Sequence, residues 1–211
     1  AKFMDTIFQI AVLVMSVVIH EVSHGYAAEI LGDPTARLQG RLTLNPLKHL
    51  DPVGSVIVPL LTSVIVLLLT SSSGFIFGWA KPVPYNPYNL RNQKWGELIV
   101  AVAGPFSNVC LALVFGLLIR FAGAALSDAF VSIAAIIVVI NLVLAIFNLI
   151  PVPPLDGSKI LWAFLPERFR QIRESMEHYS FLLVIIAIFA IWQFLSLVVF
   201  QLFSLITGFR L

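Results

Sequence analysis

The sequence predicts an all-α, polytopic membrane protein, and three observations carry that prediction. Hydrophobic residues fill 59% of the 211 positions and charged residues only 11%, against roughly 25% charged in soluble domains. The apolar residues gather into five long stretches, at about 4–31, 53–69, 98–119, 129–150 and 180–207. Lysines and arginines cluster at the ends of those stretches rather than in a basic run, which argues against a nucleic-acid partner. A single cysteine, Cys110, excludes an internal disulfide and a cysteine metal cluster. Spans and short connections use nearly all of the chain, so one transmembrane domain over 1–211 is expected.

A helix needs ~20 apolar residues to cross the hydrocarbon core. The first, third and fourth stretches meet that length. Residues 36–44 follow the first. There Leu38, Leu42 and Leu44 alternate with Arg37, Arg41 and Thr43, which predicts a short membrane-associated β-strand. The second stretch has 17 residues before the turn-prone Thr70-Ser71-Ser72-Ser73-Gly74. If it crossed once, basic residues would divide eight against five between the two sides. If 53–80 instead dips in and returns, they divide ten against three. The positive-inside rule prefers the second division, so a re-entrant hairpin at 53–80 is expected. Residues 166–178 carry charge on several faces and predict a short interfacial helix. The fifth stretch, 180–207, is long enough for one tilted helix or for two pieces.

The chemistry lies in His20-Glu21-Val22-Ser23-His24, inside the first stretch. On a helix, His20 and His24 stand one turn apart on one face, where two imidazoles can hold one zinc. Glu21 lies about 100° around the helix, within reach of a water at the metal. Ionisable groups this dense within a span are expensive, which makes a functional site the default reading.

A hydrolytic zinc site needs a third protein ligand. Glu29 falls about 180° from His20 and faces away. Asp33 and Asp51 precede prolines, a turn use. His49 beside Lys48 and Asp51, and His178 among charges, read as interfacial. Asp156 closes Asn148-Leu149-Ile150-Pro151-Val152-Pro153-Pro154-Leu155-Asp156-Gly157, where three prolines stop a helix and free backbone carbonyls. Such backbone is tolerated at membrane depth only beside protein or a water-filled cavity. Both ligand sets then end their helices, so the first and fourth stretches must run parallel.

Three motifs together resemble the site-2 protease family of intramembrane zinc metalloproteases. They are the His-Glu-x-x-His at 20–24, Ala103-Gly104-Pro105-Phe106-Ser107-Asn108 opening the next core helix, and Asn148 through Gly157. The resemblance covers roughly residues 4–165, as a three-helix catalytic core followed by the C-terminal span, and points to the compact branch without PDZ or nucleotide-sensing domains. It implies one zinc per chain, held by His20, His24 and Asp156, with Glu21 as general base. It assigns Asn148 to the substrate backbone or oxyanion. Asn108 is a second candidate for that role, weighed against tying the start of its helix to a neighbour. The implied substrate is a transmembrane or membrane-proximal protein segment, cut near the cytoplasmic face of the cell membrane. The strand at 36–44 would offer an edge for the unwound substrate. Competing readings are a metal transporter, a non-catalytic relative that holds membrane segments, and a membrane peptidase acting on soluble peptides. The transporter lacks a visible relay of ligands, and Glu21 speaks against an inactive relative.

Overall fold

A computed structural model describes residues 2–51 and 81–209. Its helices are α1 (Lys2–Ile30), α2 (Thr35–Leu38), α3 (Gln93–Ala122), α4 (Asp128–Asn148), α5 (Asp156–Phe164), α6 (Arg170–His178) and α7 (Ser180–Thr207), with short 3-10 turns between some of them. Among the described residues, three segments, Ile7–Ile30, Gln93–Ala125 and Asp128–Asn148, are long and apolar enough to cross a membrane. The helix α7 is continuous over 28 residues, about 42 Å.

Side-chain caps start the two central helices. Asn92 accepts from the Trp95 N–H at the start of α3, and Ser127 accepts from the Phe130 N–H at the start of α4, each satisfying a donor the helix leaves unpaired. The helix α3 is the hub and packs against α1, α4, α5 and α7. Ala112 and Ile119 of α3, Ala134, Val138 and Leu142 of α4, and Leu195, Val199 and Phe203 of α7 form one buried cluster. Gly116 lets α7 approach closely, since a Cβ there would collide with Ile206.

Contacts between helices fix their directions. His20 meets Asn108 while His24 meets Val100, so α1 and α3 are antiparallel. Ser16 meets Asn141, and His20 meets Asp156 just beyond α4, so α1 and α4 run the same way. The parallel arrangement expected from the ligand positions is therefore present. Arg120 donates to the Leu205 carbonyl at 2.7 Å, which places the ends of α3 and α7 together.

Two expectations change. No β-strand occurs among the described residues. Over 36–44 the chain instead forms α2 and a turn at Gly40, whose φ of 62° suits glycine. The alternation misleads because Leu38 and Leu44 point outward while Arg41 is buried. The guanidinium of Arg41 donates to the carbonyls of Lys48, Lys81 and Pro82. A substrate edge at 36–44 falls with the strand. The second change is in α3, which begins at Gln93, so Pro105 and Asn108 sit inside it rather than at its opening.

The expected re-entrant hairpin at 53–80 lies on residues outside those described. Its flanks are described, and they meet. The Lys81 N–H donates to the His49 carbonyl at 2.9 Å, and the Arg91 N–H to the Leu31 carbonyl at 3.0 Å.

Candidate metal centre

The site forms where α1 passes the start of α5, against the middle of α3. His24 is six residues from the end of α1, about 9 Å along the axis. The site therefore lies within the span but near one end. His20, His24 and Asp156 are each less than a tenth exposed. Their potential ligand atoms all lie within 4.8 Å of one another.

Proton positions on the rings follow from their outer partners. His20 Nδ1 lies 2.6 Å from Asn108 Oδ1, and His24 Nδ1 lies 2.6 Å from the Val100 carbonyl. Both partners accept, so each ring donates from Nδ1. With one proton per ring, both Nε2 atoms present lone pairs inward. They stand 3.0 Å apart, with Asp156 Oδ2 at 3.1 Å from one and 3.2 Å from the other. In that tautomer three acceptors converge on one point, an arrangement that a cation relieves. The triangle fits zinc: tetrahedral bonds of about 2.0–2.1 Å place neighbouring ligand atoms about 3.3 Å apart.

Glycines make this convergence possible. A Cβ on Gly104 would overlap both imidazoles, and one on Gly157 would strike the carbonyls of Leu149 and Ile150. Asp156 is the first residue of α5, so the proline-rich stop of α4 and the new helix start together aim its carboxylate. Lys159 Nζ stands 4.0 Å from the other carboxylate oxygen, Oδ1.

The remaining candidates are placed differently. Glu21 is held by the Val83 N–H, which donates to Oε2 at 2.9 Å. Asn108 sits behind His20, wholly buried. Its Nδ2 donates to Asn141 Oδ1 at 2.8 Å and lies 3.4 Å from the Ser16 carbonyl. Its donors are therefore directed within the fold, and its oxygen faces His20 Nδ1. Asn148 donates from Nδ2 back to Leu144 of its own helix at 2.9 Å, and the hydrogen bonds of His20, His24 and Asp156 do not include it. Glu29 pairs with Arg37, and His49 lies against the Thr43 carbonyl at 2.8 Å. Ser16, Val83, Val100 and Asn141 escaped the sequence reading. Asn141 left a signal, as a lone amide within an apolar span. Val83 and Val100 act through backbone atoms and left none.

Comparison with known proteins finds relatives of this chain. The sequence profile described as Peptidase family M50 matches residues 116–192. The chain is 37% identical to "Putative zinc metalloprotease YwhC" of Bacillus subtilis, over 85% of this chain and 78% of that protein. It is 31% identical to "Putative zinc metalloprotease Rip2" of Mycolicibacterium smegmatis, over 85% of this chain and 66% of the relative. No solved structure gives a significant match.

Proposed function

Since this chain belongs to peptidase family M50 and is a membrane metallopeptidase, we propose that it is a zinc-dependent intramembrane endopeptidase that cuts a peptide bond in or near a substrate's transmembrane segment. The observation that carries the reading is the convergence of three buried potential ligand atoms, His20 Nε2, His24 Nε2 and Asp156 Oδ2, at 3.0–3.2 Å from one another. These residues would hold one zinc per chain.

Bound zinc would supply Lewis acidity, acidifying a water and polarising the scissile carbonyl. The protein's own groups do the rest. Glu21 takes the proton of the attacking water and returns it to the leaving amine. The Val83 N–H orients the Glu21 carboxylate for that transfer. The Asn108 and Val100 oxygens hold the two imidazoles in the tautomer that faces the metal. Asn148, one turn before the prolines, is the candidate for contact with the substrate backbone, and would have to exchange its bond to Leu144 for that contact. The substrate must unwind locally before its peptide bond can be reached.

Sidedness rests on charge. The end of the bundle that holds the site carries Arg37, Arg41, Lys48, Lys81, Arg91, Lys94, Lys159, Arg168, Arg170 and Arg173. The positive-inside rule makes that end cytoplasmic.

The test pairs metal content with activity on the full chain in detergent. The parent should carry about one zinc per chain and cleave a transmembrane reporter, whereas Asp156→Ala should lose the metal. Glu21→Gln should keep the zinc and lose cleavage by about 100-fold or more. Full zinc in Asp156→Ala, or cleavage at the parent rate by Glu21→Gln, would overturn the assignment.

A further inference from the structure

Behind His20 runs a line of buried amides that the chemistry above leaves half explained. Asn141, on α4, is wholly buried. Its Nδ2 donates to Ser16 Oγ at 3.0 Å and to the Ile137 carbonyl at 2.9 Å. Its Oδ1 accepts from Asn108 Nδ2 at 2.8 Å, and Asn108 Oδ1 in turn accepts from His20 Nδ1 at 2.6 Å.

An amide presents an acceptor at one end and donors at the other. Apart from the long 3.4 Å approach of its Nδ2 to the Ser16 carbonyl, Asn108 alone could face His20 with either end. Turned over, its NH2 would meet Nδ1 and drive the ring proton to Nε2, the nitrogen that faces Asp156 and His24. Asn141 removes that choice. The Ile137 carbonyl can only accept, so Asn141 commits its donors there and to Ser16, and turns its oxygen to Asn108. Asn108 must answer with its NH2, which leaves its oxygen for His20. The direction set at Ile137 is passed through two amides to the imidazole.

We propose that Asn141 is a positioning residue of the metal centre. It fixes the orientation of the Asn108 amide, and through it the His20 tautomer whose Nε2 lone pair is free for a metal ion. This rests on the metal reading proposed above, and it assigns to α4 a part in metal binding separate from the Asp156 ligand that follows it.

The experiment is zinc affinity by chelator competition on the full chain in detergent, with the thermal midpoint of the metal-free protein measured beside it. Asn141→Leu keeps the branched shape at somewhat greater bulk and removes the acceptor, and should weaken zinc binding about 10- to 100-fold, the usual cost of losing an outer-sphere partner. Adding Asn108→Asp should restore affinity, because a carboxylate offers His20 an acceptor whichever way it turns. A packing role for Asn141 would lower the midpoint without moving affinity, and would gain nothing from the second substitution. Parent affinity in Asn141→Leu, or no recovery in the double variant, overturns the inference and leaves the metal reading intact. A parent chain that takes up no zinc overturns both. If the leucine variant does not fold, Asn141→Ala is read by the same criteria.

Discussion

At the scale of single residues, the site depends as much on missing atoms as on present ones. Gly104 has no side chain, and the space this leaves holds the two imidazoles of α1. Gly104→Ala should therefore reduce zinc content sharply. The same change is favourable for an isolated helix by about 1 kcal/mol. Helical content should hold or rise as metal is lost, and circular dichroism beside metal analysis would separate the two effects. The same logic applies at Gly157, where the obstruction would be backbone carbonyl rather than a ring. The cluster of His20, His24 and Asp156 was legible in the sequence, the histidines because ionisable groups in an apolar run demand an explanation and Asp156 because prolines stop a helix just before it. The placement of Asn108 was not legible. An asparagine mid-helix serves equally as a donor to substrate or an acceptor to a ring, and only its neighbours choose.

At the scale of elements, a short polar layer between α1 and α3 supports Glu21. Arg41 ties residues 48, 81 and 82 together through their carbonyls, and the next residue, Val83, orients Glu21. Arg41→Met keeps the aliphatic stem but leaves these acceptors without the guanidinium. It should cost about 1–3 kcal/mol of stability, measured as a lower thermal midpoint, and should slow cleavage while zinc content stays at the parent level.

The second anchor of this layer is Asp33, wholly buried. It accepts from the Thr35 N–H and hydroxyl, the Asn86 N–H and Asn89 Nδ2. Burial acts to raise its pKa, but the hydrogen bonds from Thr35, Asn89 and Asn86 outweigh it and hold the carboxyl below its ordinary 3.8. The unfolded chain therefore binds the proton more readily. The contribution of Asp33 to stability is full above that ordinary value and is lost as pH falls through the lower folded one. Thermal midpoints between about pH 3 and pH 6 should fall with acid in the parent and fall less in Asp33→Asn. The sequence assigned Asp33 to a turn beside Pro34. That was sound as local structure, and the partners 53 and 56 residues away were beyond any local pattern.

At the scale of the whole molecule, the described helices settle which ends lie together. The end of α1, the start of α3, the end of α4 and the helices α5 and α6 share one end of the bundle. The start of α1, the α3–α4 turn and the end of α7 share the other. Single cysteines placed at Lys94 and Glu174, in a Cys110→Ala background, should react with an impermeant reagent from one side of sealed vesicles. A cysteine at Ala124 should react from the opposite side. Labelling of Lys94 and Ala124 positions from the same side would contradict the arrangement. One continuous α7 also decides a point that composition left open, since a largely apolar stretch of 28 residues is compatible with one helix or two.

The sequence by itself determined the apolar solvent, the three spans among the described residues and the types of residue that cluster between them. Those properties follow from composition and from local spacing: an apolar run must lie in lipid, residues four apart must share a helical face, and prolines must end a helix. Only the tertiary structure decided that 36–44 turns instead of extending, that Asn108 faces His20, that Asn141 stands behind it, and that a backbone amide at Val83 holds Glu21. Each of these is set by a partner distant in sequence, with separations of 33 to 88 residues among the last three. A hydrogen bond depends on where two groups meet, and that meeting is a property of packed helices rather than of any one of them.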